Sequence, residues 1–215
     1  TPLPERNSAD LVRLKADKNA FKKELMARLM QEGGKPTPAQ VDQRVAALER
    51  AAATLDTINA VEAAGGKAVY LVCDVTDAAS VTGAIAEIGE ERVDVFIHAA
   101  GSERSRKLDN KPMEEFRQTV AVKAMGFFHV FKALEAIGKL PRAVVMFSSV
   151  AGRFGNTGQT DYSAANDLLG KLAAALPKEY PQMKALTLDW GAWAEVGMAS
   201  RGFIPELMKR AGIEM

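Results

Sequence analysis

The 215-residue chain has one cysteine, two histidines and two tryptophans. A single cysteine excludes an internal disulfide and fits a reducing, cytoplasmic setting. Two histidines with no partner at ligand spacing give no sign of a metal centre. Lys and Arg total 28 and Asp and Glu total 27, a formal net charge of +1. That leaves no excess of either sign to call for a nucleic acid or an anionic membrane as partner. No apolar run approaches the roughly 18 residues of a spanning helix, and no basic-then-apolar leader is present. An initiator methionine is also missing: the chain starts at Thr1, as a stretch of something longer would. What remains, 47% hydrophobic and 26% charged over 215 residues, suffices for one α/β domain with a real core, or two very small ones.

The first third is helical. Leu14, Phe21, Leu25 and Leu29 lie seven and four apart, which predicts a helix over 8–32, with Lys15, Lys18, Lys22, Lys23 and Arg28 on its solvated face. Gly33-Gly34 stops it. Thr37-Pro38-Ala39-Gln40 has the form of a capping box with proline at the first helical position. Val41, Val45, Leu48, Ala52, Leu55, Ile58 and Val61 then run down one stripe until Gly65-Gly66. From there the pattern becomes short apolar runs between helices. Ala68 to Cys73, Val93 to His98, Ala143 to Phe147 and Ala185 to Leu188 read as parallel strands buried on both faces. Helices are expected over about 77–89, 112–138 and 160–176. This alternation predicts an α/β doubly wound parallel sheet.

Such sheets bind ligands at the carboxyl ends of their strands. The residues there are Asp74, then Ala99-Ala100-Gly101, then Ser148-Ser149, then Asp189-Trp190-Gly191. Ser149 and Tyr162 are 13 positions apart, and Asn166 follows Tyr162 by one helical turn, so the last two share a face. Gly152, Gly155 and Gly158 let the intervening loop turn back and bring the serine hydroxyl to the phenol. Serine, tyrosine and a cation can together reduce a carbonyl: the serine hydrogen-bonds its oxygen and the phenol protonates it as a hydride arrives. A nearby ammonium is expected to lower the phenol pKa toward neutrality. His98 reads as a satisfied strand-end histidine, and Cys73 as a small buried apolar residue.

Ser149…Tyr162-Ser-Ala-Ala-Asn166 resembles the Ser…Tyr-x-x-x-Lys signature of short-chain dehydrogenases/reductases, with asparagine where that family has lysine. Lys123, in Val122-Lys123-Ala-Met-Gly126, stands where the family has asparagine. The exchanged pair resembles the ketoreductase domains of modular polyketide and polyunsaturated fatty-acid synthases. Phe147-Ser-Ser-Val-Ala-Gly-Arg-Phe-Gly-Asn-Thr-Gly-Gln-Thr-Asp-Tyr162 resembles their catalytic strand and loop, and Leu188-Asp-Trp-Gly-Ala-Trp193 their nicotinamide-side turn. Glu195-Val-Gly-Met198 resembles the start of their lid, from about residue 194, and Cys73-Asp-Val-Thr-Asp77 their adenine-side motif. The resemblance covers the whole chain and implies one catalytic domain over 1–215, with a helical segment at 1–66 and a strand–helix core at 67–215.

It also implies roles. Tyr162 would be the acid, Ser149 the carbonyl hydrogen-bond donor, Lys123 the ammonium, and Asn166 the fourth member of the tetrad. NADPH would lie along Asp74, Val75, Ala99, Ala100, Gly101, Trp190 and Gly191, with Lys123 and Tyr162 reaching its nicotinamide ribose. Phe154, Gln159 and Met198 would face the substrate. The reaction implied is reduction of a β-ketoacyl thioester, carried by an acyl carrier protein among other synthase domains, to the β-hydroxyacyl thioester. Two alternatives stand beside it: a short-chain dehydrogenase acting on a free small ketone or alcohol, and a non-catalytic docking domain of a synthase.

Some features depart from the pattern. Glu103-Arg104-Ser105 stands where ketoreductases of one stereochemical type carry Leu-Asp-Asp, and Phe154 where the other type has tryptophan. The product configuration therefore stays open. The combination looks closer to iterative polyunsaturated fatty-acid or enediyne synthases than to actinobacterial macrolide modules. No Gly-rich turn precedes Asp74 to grip a pyrophosphate. By the resemblance, the first two strands and the last strand of the sheet lie outside this stretch. Residues 1–215 expressed alone are therefore not expected to give a cooperative, NADPH-binding monomer.

Overall fold

The computed structural model describes residues 3–6, 8–89 and 91–193, with single positions 206, 209 and 212. The chain divides into two compact units, Thr1–Val72 and Cys73–Met215.

The first unit is three helices. The stretch expected to be one helix is two, α1 (Ala9–Ala16) and α2 (Lys18–Gln31). Asp17 separates them with extended backbone (φ −153°, ψ 103°), and its carboxylate accepts from the Asn19 and Ala20 amides at 2.8 and 2.9 Å. An aspartate gains more by capping a new helix than by continuing an old one. α3 (Pro38–Ala63) begins with the expected capping box, Thr37 and Gln40 satisfying each other's backbone. Leu14, Phe21, Leu25 and Leu29 pack with Val41 and Val45 in one core, and Leu11 with Ala52 and Leu55 in another. Lys15, Lys18 and Lys22 on the solvated face pair with Asp56, Glu49 and Asp42 of α3. Exposed pairs of this kind add about 0–1 kcal/mol each.

The second unit alternates helix and strand. It runs α4 (Ala78–Ala86), β1 (Val95–His98), a short 3-10 turn at Leu108–Asn110, and α5 (Met113–Val120). A π-helical turn, Ala121–Met125, then leads into α6 (Gly126–Ala136). β2 (Ala143–Ser149), α7 (Val150–Phe154), α8 (Thr160–Glu179) and β3 (Lys184–Trp190) follow. The three strands are parallel in the order β1-β2-β3. Register sets His98 beside Met146 and Ser149 beside Trp190, so the polar strand ends fall at one edge of the sheet. Phe127 and Phe131 of α6 and Leu169 and Leu176 of α8 pack on Val144 and Met146 of β2. Each such buried side chain contributes about 1.5–3 kcal/mol.

Two expectations need correction. Ala68 to Cys73 is not a strand: Val69, Tyr70 and Val72 are exposed, and so is Cys73. A strand exists through a neighbour's hydrogen bonds, and among the described residues no ladder forms over this run. Nor are the strands buried on both faces. β2 alternates between fully and partly buried positions, and Val95 and Ile97 of β1 are exposed. Helices seal one face of the sheet, and the other stays open among the described residues.

Candidate active site

The site is built at the carboxyl end of β2. Ser149, its last residue, caps α7 by accepting from the Ala151 amide at 3.2 Å. α7 is one short turn, and Gly155 (φ 71°) and Gly158 (φ 81°) reverse the chain into α8, as the glycine spacing predicts. Gly152 presses α7 onto α8. A Cβ there would stand 2.9 Å from the Asn166 Cβ and 3.0 Å from the Asp167 amide. Gly152→Ala is therefore expected to part the two helices, at a cost of about 1–3 kcal/mol. Denaturant unfolding should show that loss together with reduced turnover, and an unchanged midpoint would contradict the contact.

Tyr162 and Asn166 sit one turn apart on α8, and the fully buried Asn166 amide donates to the Tyr162 carbonyl at 2.8 Å. The Asn166 Oδ1 is buried with no hydrogen-bond partner among the described residues. Lys123 enters from the π-helical turn. Such turns loosen the helical hydrogen-bond ladder and are frequent at functional sites. Here the Lys123 carbonyl accepts from His98 Nε2 at 2.8 Å, while its ammonium donates to the Phe147 carbonyl of β2 at 2.8 Å. The same ammonium stands 5.7 Å from the centre of the Tyr162 ring, within cation–π range. A Cβ on Gly101 would meet it at 3.4 Å, so the turn after β1 passes directly by the charge.

Burial governs the electrostatics. It pushes the Lys123 pKa down to about 8 and lowers that of His98 as well. It raises the Tyr162 phenol above its ordinary value. The Ser149 and Asn166 side chains pull it partly back, and the Glu103 charge adds to the rise. This reverses the direction expected for an ammonium neighbour: desolvation of the phenol outweighs the hydrogen bonds from Ser149 and Asn166 that favour its ionised form.

The structure thus brings Ser149, Lys123, Tyr162, Asn166 and Gly101 together. Ala99 and Ala100 follow β1 in the same turn. Trp190 ends β3 beside Ser149 and packs against Phe147 (5.6 Å) and Trp193 (4.9 Å), with Gly191 next along the chain. Val75 packs on Gly126, and its carbonyl accepts from His129 Nδ1 at 2.8 Å. The Asp74 carboxylate is engaged by the Thr76 amide and hydroxyl, which hold its pKa down. Of the expected substrate residues, Phe154 is 87% exposed at the end of α7. Gln159 has its amide committed, accepting from Asn156 at 3.0 Å and donating to Ser105 at 3.3 Å. Met198 and the lid from 194 lie outside the described residues. His98 is satisfied as expected. Its partner, the backbone of Lys123, has no signal in the sequence beyond the histidine that closes an apolar strand. Among the described residues no cluster of three or more His, Cys, Asp or Glu could hold a metal ion, and no helix is long and apolar enough to cross a membrane.

A parallel sheet with Ser149 at a strand end, and with Tyr162, Asn166 and Lys123 brought beside it from the flanking helices, defines a short-chain dehydrogenase/reductase type of protein. Within it, the chain belongs to the KR (ketoreductase) domain family, whose model matches residues 23–195. It is 34% identical over 182 residues to a subunit of the polyunsaturated fatty acid synthase from Thraustochytrium sp., covering 83% of this chain and 6% of that protein. It is 33% identical to the polyketide synthase GfsB of Streptomyces halstedii, covering 70% of this chain and 3% of that one. A solved ketoreductase domain from the bacillaene assembly line is 26% identical, with a TM-score of 0.60, over 80% of this chain and 39% of that one. The chain therefore spans a small part of the synthases it resembles.

Proposed function

We propose that this chain is the catalytic part of a cytoplasmic synthase ketoreductase, which uses NADPH to reduce a β-ketoacyl thioester on an acyl carrier protein to the β-hydroxyacyl thioester. The observation that carries the reading is the convergence of Ser149, Tyr162, Asn166 and the buried Lys123 ammonium at one strand end. Membership of the KR domain family supports the oxidoreductase class. The synthase relatives support a carrier-bound substrate.

The residues present fit the nicotinamide end of the cofactor. Gly101 leaves room beside the ammonium, and Asn166 Oδ1 is a buried acceptor with no donor among the described residues. Ala99 to Gly101, Trp190 and Gly191 would line that end, and Asp74 and Val75 would meet the adenine. When bound, NADPH supplies the hydride to the carbonyl carbon. The chain's own groups handle the proton. The Ser149 hydroxyl hydrogen-bonds the carbonyl oxygen, and Tyr162 gives that oxygen its phenolic proton. The Lys123 ammonium offsets the negative charge left on the phenolate.

The test uses the full-length protein with NADPH and three probes: β-ketobutyryl on a carrier protein, β-ketobutyryl on N-acetylcysteamine, and a free small ketone. Turnover is expected to rank in that order. Preference for the free ketone would favour the dehydrogenase alternative. Failure to bind NADPH by calorimetry would favour a docking role.

A further inference from the structure

A buried ion pair outside the tetrad is left unused by this chemistry. Lys111 follows the short turn at Leu108–Asn110, and Asp161 immediately precedes Tyr162 in the first turn of α8. Their side chains are in contact, 1% and 2% exposed, across 50 positions of sequence. Burial opposes ionisation of Asp161, but Lys111, the Thr119 hydroxyl and the Tyr162 amide together hold the carboxyl below its ordinary value. Two charges taken this far out of water are costly unless geometry makes them worthwhile. Three ties from one segment land on the four residues before Tyr162. The Arg106 amide donates to the Gly158 carbonyl at 2.9 Å. Gln159 donates to Ser105, and Lys111 meets Asp161. Gln159, at the N-cap position of α8, makes no side-chain cap hydrogen bond, and its amide serves the tie to Ser105 instead. The segment also acts on the reacting group through the Glu103 charge, which adds to the rise in the Tyr162 phenol pKa.

We propose that Lys111 and Asp161 are a positioning pair that fixes the 103–111 segment against the first turn of α8 and so forms the substrate-side wall beside Tyr162. This rests on Tyr162 being the proton donor to a bound ketone. The pair touches neither substrate nor cofactor. It sets where the wall stands, and thereby how tightly and in which orientation the carbonyl is held.

The test compares three forms of the full-length protein: wild type, Lys111→Met/Asp161→Leu, and the swapped pair Lys111→Asp/Asp161→Lys. The apolar double variant removes both charges without stranding either. It should bind NADPH within twofold of wild type. Its KM for β-ketobutyryl-N-acetylcysteamine should rise at least tenfold, and the ratio of hydroxyl configurations in the product should change. Trypsin supplies a readout independent of activity. Cleavage after Arg104, Arg106 and Lys107, followed by mass spectrometry, should accelerate at least tenfold in the apolar variant while sites in α2 are unchanged. The swapped pair should recover both readouts to within threefold. A wild-type KM, product ratio and cleavage rate in the apolar variant would overturn the proposal. So would joint loss of NADPH affinity and thermal stability, which marks a merely structural pair. If the apolar variant fails to fold, Lys111→Arg decides: it keeps the pair but moves the wall, and an unaltered KM and product ratio overturn the proposal. A wild type that binds NADPH but turns over no thioester refutes the ketoreductase reading, and with it the role given to the wall.

Discussion

Tyr162→Phe is expected to lower ketone reduction by about 10²–10⁴-fold, the usual contribution of a positioned proton donor. The substitution removes one hydroxyl and keeps the ring, so the contact with the Lys123 ammonium, 5.7 Å from the ring centre, survives. Stability should change by about 1 kcal/mol at most. A buried hydroxyl contributes little net free energy once its own desolvation is counted, and burial is the larger influence on this phenol. NADPH affinity should move far less than turnover. Single-turnover kinetics in the full-length protein, with calorimetry for the cofactor, separate the two. Retained turnover near wild type would refute Tyr162 as the acid. The raised phenol pKa adds a second signature: no loss of proton donor is expected between pH 6 and 8, so any fall in rate within that range reports another group.

What the sequence discloses and what it hides divides along the range of the interactions involved. The capping box at Thr37 and the Tyr162–Asn166 pair are legible because each is closed within one helical turn. The approach of Ser149 to Tyr162 is legible because two glycines with positive φ leave the loop one way back. Asp17 is hidden inside an apolar period that runs straight through it, since periodicity sees the buried face and not a cap. Ala68 to Cys73 has strand composition without a strand, because a ladder partner is a fact about another segment. The Lys111–Asp161 contact spans 50 positions and involves residue types that normally sit in solvent, so no local pattern marks it. The Lys123 carbonyl in the π-helical turn is held by His98, 25 positions earlier, a partner that no local pattern announces. The direction of the Tyr162 pKa escapes the sequence for the same reason. Charge type is written in the sequence, but depth of burial is not.

Lys123→Met is expected to separate stability from activity. Burial holds the folded-state pKa of Lys123 near 8 against 10.5 for an ordinary lysine, a cost of about 3 kcal/mol for keeping the charge inside at neutral pH. Below pH 8 both folded and unfolded chains hold the proton, and the penalty is fully present. Between pH 8 and 10.5 the unfolded chain binds more protons than the folded one, so stability rises with pH across that window and levels off above it. Methionine removes the penalty but leaves the Phe147 carbonyl without its 2.8 Å donor, a loss of about 1–3 kcal/mol. The variant should therefore be as stable as wild type at pH 7, or more stable by up to about 2 kcal/mol, and its stability should lack the rise between pH 8 and 10.5. Turnover should fall by about 10²–10³-fold, the usual effect of deleting a preorganised electrostatic partner of the reacting groups. The wild-type rate should itself decline above pH 8 as the ammonium is lost, while Lys123→Met shows no such decline. Urea unfolding at pH 7, 8.5 and 10 with matched pH–rate profiles tests all of this. A variant that loses stability at pH 7 along with its activity would mean that Lys123 holds the strand end together rather than serving the chemistry beside it.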